Sequence, residues 1–409
     1  MAGVSKLPQE ILMEILSKLP AKSLIRFRCV SKFFSALIAD HGFGVLNRSF
    51  SLTLPSRAGL LISIDVRPPH PPPYRRVYYT LNFSEKENPR RGILQANRVG
   101  FLGAEPFLLS SSSDGLICVS KFNGDVDVCN VSTGQRIFLP RLIQYKDCKL
   151  LLGYDSQSKR YKVLMSKIDR ESTYYEYKQW VFTVGVDRSW REINNYGSFP
   201  FYPIDDGYSY RYYSNNGVYN SSVYIDGVIY SYNRPTKHSQ FRRLHIVAFG
   251  VGCESFSVIT LPDEVSSQSY LFLQNSALLE VGGRLAMVLI HVPTLFGGVD
   301  GLCYMNVWIW EKSKKCWEKI SVTIPLEWRR IICNASVVRF ATNHDGEIVL
   351  LCIYSQQFFI LVYNLTSEIW RKFGVSGVED FPIFSCWDVT LHNFVDHVFP
   401  LEKLRFRFA

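Results

Sequence analysis

The feature that most constrains the fold is a two-part pattern that recurs through most of the chain after residue 110. In its first part, a turn of two small or acidic residues is followed at once by an apolar strand. This part occurs at Asp114-Gly115, Asp226-Gly227, Gly282-Gly283 and Asp345-Gly346. In its second part, a strand and a polar turn precede an aromatic residue that opens another short strand: Trp190, Phe256, Trp317 and Trp370. Such turns are typical of tight antiparallel hairpins, so the pattern predicts repeated hairpins.

The repeat predicts one large all-β domain over residues 58–400. Its aromatic residues lie roughly 50 to 70 residues apart, which is longer than a WD-repeat blade and indicates a degenerate repeat with long loops. Four-stranded units repeated around an axis leave only short sheet edges exposed. We therefore expect a β-propeller of about six blades, with a β-sandwich-like domain as the alternative, and a basic C-terminal tail at 401–409.

The first forty residues follow a helical period instead. Apolar residues at 11, 12, 15, 16 and 19 fall on one stripe of a helix that Pro20 should end. A second helix is predicted from Ser23 to about Val30, and a third from Ser31 or Lys32 to Ala39, each with a serine as its cap. Three short helices form a core too small to be very stable alone. We expect this all-α domain over residues 1–46, a linker at 47–57, and stabilisation by a partner.

Composition and charge narrow the function classes. The chain has no apolar run long enough to span a bilayer and begins without a secretory h-region. We therefore expect a cytoplasmic or nuclear protein, or one found in both, with no membrane contact. The net charge is +10, but no dense basic face with interleaved aromatics accompanies it. Nucleic-acid binding is accordingly not expected.

No catalytic or metal-binding motif is present. The 10 cysteines lie far apart without a C-x-x-C pair, and the sequence has no G-x-S-x-G, H-E-x-x-H or phosphate-binding glycine loop. We expect no enzyme activity, no metal and no cofactor. A hydrolytic function is an alternative only if the fold places a nucleophile and a base within hydrogen-bonding reach in the central channel.

The first segment closely resembles an F-box. The resemblance rests on the motif that runs from Leu7-Pro8 through Leu19-Pro20 to Arg26-Phe27-Arg28-Cys29-Val30-Ser31-Lys32. It implies that this unit docks a Skp-type adaptor and, through it, the cullin and RING subunits of a ubiquitin ligase. It also implies that the motif's apolar positions divide between the small core and the adaptor surface. These positions are Leu7, Pro8, Ile11, Leu12, Ile15, Leu16, Leu19, Pro20 and Leu24.

The remainder resembles the F-box-associated domain common in plant F-box proteins. Matching stretches include Leu152-Gly-Tyr-Asp155, Ile225-Asp-Gly-Val-Ile-Tyr, Val307-Trp-Ile-Trp310 and Phe394-Val-Asp396-His397. This resemblance implies a propeller-like domain that presents a protein target for ubiquitination. The function predicted is thus a substrate-recognition adaptor of a Skp–cullin–F-box ubiquitin ligase. The alternative is a non-degradative propeller that binds a peptide, glycan or small ligand.

Two inserts are candidate contact segments. The segment 196–219 is rich in tyrosine, with serine, glycine and asparagine between the rings, a composition typical of binding loops. Its candidate target-binding residues are Tyr202, Tyr208, Tyr210, Tyr212 and Tyr213. The alternative is a long blade hairpin whose rings cover neighbouring blades. Pro71-Pro72-Pro73-Tyr74 fits the pattern of a WW-domain ligand, and its alternative is a stiff loop.

Overall fold

The computed structural model places helices at the N-terminus and strands after them. It describes residues 7–66, 75–83, 92–100, 107–121, 125–141, 148–169, 176–193, 221–233, 244–266, 276–291, 303–355, 357–378 and 386–401. The helices are α1 (Gln9–Ser17), α2 (Ala21–Arg28), α3 (Lys32–Ala39), α4 (His41–Leu52), α5 (Asp263–Ser266) and α6 (Leu326–Cys333), and a 3₁₀ turn covers Pro55–Arg57. Within these ranges, no helix has the length and hydropathy needed to cross a membrane.

The strands follow in chain order. The first half comprises β1 (Ala58–Val66), β2 (Arg75–Asn82), β3 (Ile93–Arg98), β4 (Phe107–Ser113), β5 (Leu116–Lys121), β6 (Val126–Asn130), β7 (Arg136–Phe138), β8 (Cys148–Asp155), β9 (Arg160–Asp169), β10 (Glu176–Thr183), β11 (Arg191–Glu192) and β12 (Ser222–Ile225). The second half comprises β13 (Val228–Asn233), β14 (His245–Gly250), β15 (Ser255–Thr260), β16 (Ser276–Val281), β17 (Arg284–His291), β18 (Tyr304–Glu311), β19 (Cys316–Thr323), β20 (Val337–Thr342), β21 (Ile348–Tyr354), β22 (Gln357–Tyr363), β23 (Trp370–Ser376) and β24 (Cys386–Val395).

These strands form six four-stranded blades, and blades 1 and 6 are joined into one eight-stranded sheet because β3 pairs in parallel with β23. Blades 2 to 6 are β4–β7, β8–β11, β12–β15, β16–β19 and β20–β23, each in chain order. Blade 1 has the order β24-β1-β2-β3, so the last strand of the chain is its inner strand. The six inner strands contact one another in a ring, β24 next to β4, then β8, β12, β16, β20 and back to β24. The domain is therefore a six-bladed propeller, as the repeat predicted, and not a sandwich.

The Asp-Gly part of the repeat forms the turn between the first and second strand of a blade. Asp114 and Gly115 have φ values of 48° and 87°, and Asp226 and Gly227 have 41° and 80°. Two successive residues with positive φ are what a two-residue hairpin loop requires. A Cβ on Gly115 would lie 2.1 Å from the carbonyl oxygen of Val395, so only glycine fits between blades 1 and 2.

The aromatic part of the repeat begins the fourth strand of a blade and packs on the third. Ring centroids lie 5.4 Å apart for Phe182–Trp190, 4.9 Å for Phe249–Phe256, 5.2 Å for Trp310–Trp317 and 4.7 Å for Tyr363–Trp370. Two of the indoles also reach the preceding blade. Trp190 Nε1 donates to the carbonyl of Pro140 at 2.8 Å, and Trp317 Nε1 donates to that of Thr260 at 2.8 Å. At these two positions the repeated aromatic also holds neighbouring blades together.

The helical unit differs from the sequence prediction in two ways. It has a fourth helix, because α4 continues to Leu52 through most of the segment 47–57 predicted as a linker. The two glycines and the polar residues of α4 hide its helical period, and Asp40 caps it by accepting from the Phe43 amide at 3.0 Å. In addition, α2 begins at Ala21 and not at the predicted cap, Ser23. The Ser31 cap of α3 is confirmed by its bond from the Phe34 amide at 3.2 Å.

The two faces of the propeller can be told apart by the turns that they carry. We call the face with the first-to-second-strand turns the proximal face, because Arg48 of α4 is hydrogen-bonded to Asp114 in one of these turns. We call the opposite face distal. Each inner strand runs from the distal to the proximal face, so Ser221, which precedes β12, lies at the distal face. Ser221, the first described residue after the tyrosine-rich segment, therefore lies at the face opposite the helical unit.

Candidate functional site

The nine apolar positions of the N-terminal motif separate into a surface set and a core set. Leu7, Ile11 and Ile15 are 59%, 45% and 49% exposed. Pro8 and Pro20 are also exposed, and Leu12 and Leu19 are half-buried. Leu16 and Leu24 are buried with Leu37, Ile38 and Phe43 in the core of the helical unit.

The exposed members form an apolar strip on α1 and the residues before it. Large apolar side chains are normal on a surface when they are scattered singly, whereas several together on one short element mark an interaction site. Ile11 and Ile15 lie four residues apart and so share one side of α1, and Leu7 lies just before the helix. The helical unit thus has an exposed apolar strip of the kind that marks an interaction site.

Two further exposed apolar residues were not in the predicted set. Val30, at the end of the second helical segment, and Phe33, in the first turn of α3, are 67% and 52% exposed. Phe33 contacts Phe34 with ring centroids 5.5 Å apart, and Phe34 contacts Phe27 at 5.6 Å. The signal for Phe33 was the Phe-Phe pair itself, since only one of two adjacent helical residues can face a small core.

Arg48 of α4 anchors the helical unit in the propeller. Its Nε donates to the hydroxyl of Tyr161 at 2.9 Å, and its Nη2 donates to the carboxylate of Asp114. The guanidinium lies 3.6 Å from the ring centroid of Tyr154. Burial alone would lower the pKa of Arg48, but Tyr161 and Asp114 raise it above its ordinary value. The guanidinium, which is buried between the two domains, thereby stays charged, and its Nε and Nη2 both have hydrogen-bond partners.

The stretch Phe394-Val395-Asp396-His397 and the residues after it form the second connection. Asp396 Oδ2 accepts the amide of Ala21 at 3.0 Å and so provides the cap of α2 that Ser23 does not. Asn47 of α4 donates to the carbonyl of Ser17 at 2.8 Å and accepts the amide of Val398 at 2.9 Å. The side chain of Val398 is buried in the helical core. Residues from the end of the chain therefore complete the N-terminal unit.

The same stretch is fastened to blade 2. Asn130 Nδ2 donates to the carbonyls of His397 and Phe399 at 3.3 and 3.0 Å. The ring of Phe399 contacts those of Tyr154 and Tyr161 with centroids 6.1 and 5.0 Å away. Leu401 is buried in the same cluster, and residues 402–409 of the predicted tail lie outside the described ranges.

His397 is neutral in this junction. Its Nδ1 accepts the amide of Phe399 at 3.1 Å, so Nε2 must carry the proton that is donated to the carbonyl of Asp114. Burial, reinforced by the nearby Arg48 cation, lowers the pKa of His397 to about 4. Protonation would turn Nδ1 into a donor that faces the donor N–H of Phe399. These contacts therefore require the neutral imidazole.

Replacing Asp396 with alanine is expected to destabilise α2. The variant loses the acceptor for the Ala21 amide, and loss of a helix cap costs about 1 kcal/mol. Amide hydrogen exchange in α2 should therefore accelerate, with the largest change at Ala21. Asp396→Asn is the matched control because its side-chain carbonyl can still accept this bond. Equal exchange rates in the alanine variant and the wild type would show that the contact contributes nothing.

Other sequence predictions fall outside this geometry. Tyr202, Tyr208, Tyr210, Tyr212 and Tyr213, as well as Pro71-Tyr74, lie outside the described residues. In the part of the chain that the structure describes, no group of three or more His, Cys, Asp or Glu side chains is arranged to hold a metal ion. Ser113 and His392 line the central channel but are not hydrogen-bonded to each other.

Comparison with known proteins identifies both parts of the chain. The fold defines the class: a small N-terminal helical unit fixed to a six-bladed β-propeller. Residues 4–46 match the F-box domain, and residues 76–398 match the F-box associated beta propeller domain. The chain therefore belongs to the family of F-box proteins with an F-box-associated propeller.

Individual relatives agree with this assignment over most of their length. The chain is similar to the F-box protein At4g19940 of Arabidopsis thaliana, with 26% identity over 94% of this chain and 90% of the relative. It is also similar to the putative F-box protein At3g52320 of Arabidopsis thaliana, with 29% identity over 84% and 80%. Among solved structures, a periplasmic gluconolactonase of Pseudomonas aeruginosa aligns at 10% identity, with a TM-score of 0.37, over 82% of this chain and 99% of that chain. At that TM-score the alignment carries no argument.

Proposed function

We propose that this protein is the substrate-recognition subunit of a Skp–cullin–F-box ubiquitin ligase acting in the cytoplasm or nucleus. The observation that carries the proposal is the exposed apolar strip of Leu7, Ile11 and Ile15 on a unit that matches the F-box domain. A Skp-type adaptor would cover this strip and link the chain to the cullin and RING subunits. The ubiquitin chemistry would be performed by those subunits, since F-box proteins act as adaptors.

The contacts that fix the F-box on the propeller, which we call the F-box seat, explain how the protein would act. Arg48, Asn47 and Asp396 fix the helical unit on the proximal face of the propeller. A target on the distal face would then be held at a constant distance from the docked adaptor. Fixed geometry raises the effective concentration of a target lysine near the transferring subunit, which accelerates the reaction without catalytic groups on this chain.

The distal face is the better candidate for target recognition. The proximal face is partly covered by α4, and its hairpin turns at 114–115 and 226–227 are short. The distal face receives the chain from the tyrosine-rich segment at Ser221. Tyrosine offers large contact area with little conformational entropy to lose, which suits a protein-binding surface. We therefore propose that a protein target binds there, through Tyr202, Tyr208, Tyr210, Tyr212 and Tyr213 among others.

The adaptor surface is tested by replacing Leu7, Ile11 and Ile15 with serine together. The three side chains are exposed, so the variant should remain folded. Burying such side chains against a partner contributes about 1 kcal/mol each, and the loss should weaken adaptor binding by about 100-fold. Binding is measured by titrating the purified full-length chain with a plant Skp-type adaptor.

The matched control is the pair Val186→Ser and Val258→Ser, which removes exposed apolar side chains from the propeller. This variant should bind the adaptor as tightly as the wild type. Equal adaptor affinity of the triple variant and the wild type would contradict the proposed surface. If the wild type binds no Skp-type adaptor, the ligase proposal fails, and the propeller is better studied as a non-degradative binding module.

A further inference from the structure

The central channel of the propeller contains a cavity of about 460 Å³ on the F-box side. All six blades contribute to its wall, and the end of α4 contributes Ser51 and Leu52. Cavities at domain junctions with this volume are typical small-molecule sites. The cavity opens toward the proximal face, where the turn residues Gly282, Gly283 and Asp345 line it. Its wall extends along the channel to Ser222 at the start of β12, next to the distal face.

Two polar atoms on the blade 1 and blade 2 side of this cavity lack partners. Ser113 is only 4% exposed, and its Oγ has no hydrogen-bond partner among the described residues. The buried Nε2 of His392 on β24 has none there either. An unpaired buried polar group costs about 1–3 kcal/mol. Both residues line the cavity, so a ligand in it can supply the missing hydrogen bonds.

A half-buried carboxylate lies on the blade 5 wall. Glu280 lines the cavity, and within the described ranges no cation forms an ion pair with it. Burial raises the pKa of Glu280, and the carboxylates of Asp114 and Asp226 raise it further. The potential at this wall is therefore negative, and a cation placed there would be attracted.

The wall around His392 disfavours positive charge, unlike the wall around Glu280. Burial, together with the nearby cations Lys149 and Arg76, lowers the pKa of His392 to about 4. Its imidazole is therefore neutral near pH 7. A positively charged group is disfavoured at this wall, whereas a neutral hydroxyl or carbonyl can pair with His392 and Ser113. A ligand with one positively charged end and one neutral end would therefore bind in one orientation, with the charged end at Glu280.

We propose that the channel binds a small organic ligand with a primary ammonium group at Glu280 and a neutral hydrogen-bonding group at Ser113 and His392. Such a group occurs in free amino compounds and at the end of a lysine side chain. A ligand at this position would contact the propeller and the end of α4 at once. It would thereby add to the rigidity of the F-box seat.

The test uses saturation-transfer NMR on the full-length chain with ω-amino alcohols of increasing chain length. At least one length should bind, and the diol of the same length should bind at least about tenfold more weakly because it lacks the charge. A capped lysine peptide and its acetyl-lysine form distinguish the two sources of the ammonium group. Binding of the free amines supports the small ligand, whereas binding of the lysine peptide alone overturns it in favour of a protein side chain.

Variants assign the binding to this cavity. Glu280→Gln should abolish the preference for amine over diol, and Ser113→Ala should weaken binding several-fold. Leu52→Trp changes an exposed residue on the rim, so this variant should remain folded even if the other variants do not. The larger side chain should narrow the entrance and weaken binding. Glu327→Gln, on α6 away from the cavity, is the matched control and should bind as the wild type does. The proposal is overturned if no amine binds, if the diol binds equally well, or if Glu280→Gln keeps the preference.

Discussion

Replacing Arg48 with methionine is expected to lower the free energy of unfolding by about 3–5 kcal/mol. The substitution leaves the Asp114 carboxylate without its buried partner and removes the contact with the Tyr154 ring. Methionine keeps most of the aliphatic volume, so the loss is one of charge and hydrogen bonds. Denaturant unfolding of the full-length chain measures the change, and cleavage near Thr53 and Leu54 by a protease reports separation of the F-box from the propeller.

Three further variants separate the ion pair from general destabilisation. Arg48→Lys should rescue little, because an ammonium group cannot bind Tyr161 and Asp114 in a fixed fork while lying on an aromatic ring. Asp114→Asn combined with Arg48→Met should cost less than the sum of the single changes, by about 1–3 kcal/mol, since the two residues interact directly. Arg26→Met on the exposed face of α2 should change stability by less than about 0.5 kcal/mol. A loss at Arg48 no larger than at Arg26 would refute the anchor.

Local patterns were sufficient to predict the blades. The hairpin turns at Asp114-Gly115 and Asp226-Gly227 require positive φ, and few residue pairs other than Asp-Gly satisfy that requirement. The aromatic residues Trp190, Phe256 and Trp317 mark the fourth strand because each packs on a ring one strand away. These determinants lie within a few residues of the elements they specify, so the sequence contains them in readable form.

The seat of the F-box could not be predicted in this way. The α2 cap is Asp396, and Val398 fills the helical core, although both lie more than 350 residues away along the chain. Local capping rules pointed to Ser23 because they consider only neighbouring residues. The helical period of the sequence ends at about Asn47, so the segment 47–57, which begins with Asn47 and Arg48, is predicted as a linker. These two residues are buried only after the propeller supplies their partners.

The candidate surfaces could likewise be predicted from the sequence only in part. The motif identified the apolar positions on α1, but the exposed residue Ile11 and the buried residue Leu16 look equivalent in sequence. Only the packing of α4 against α1 decides which side is covered. The channel cavity had no sequence signal, because Ser113, Glu280 and His392 come from three blades and are brought together by closure of the ring.

Lowering the pH from 6.5 to 4.5 is expected to destabilise the folded chain through its buried histidines. In the folded state the pKa values of His392 and His397 are lowered to about 4, whereas an unfolded histidine titrates near pH 6.5. The unfolded state therefore binds more protons in this range, and stability falls as pH falls. Each histidine contributes about 3 kcal/mol that is fully present above pH 6.5 and lost as the pH approaches 4. His291, whose pKa burial also lowers, acts in the same direction.

The raised pKa of Glu280 acts in the opposite direction, because its protonation on acidification favours the folded state. The net effect is measured as the free energy of unfolding in urea at a series of pH values. His392→Gln and His397→Gln should each reduce the acid-dependent loss above pH 4.5, although His397→Gln also lowers stability at pH 7 by breaking the bonds to Asp114 and Phe399. A wild-type stability that does not change between pH 6.5 and 4.5, or a slope that both variants retain in full, would show that these imidazoles accept protons in the folded state.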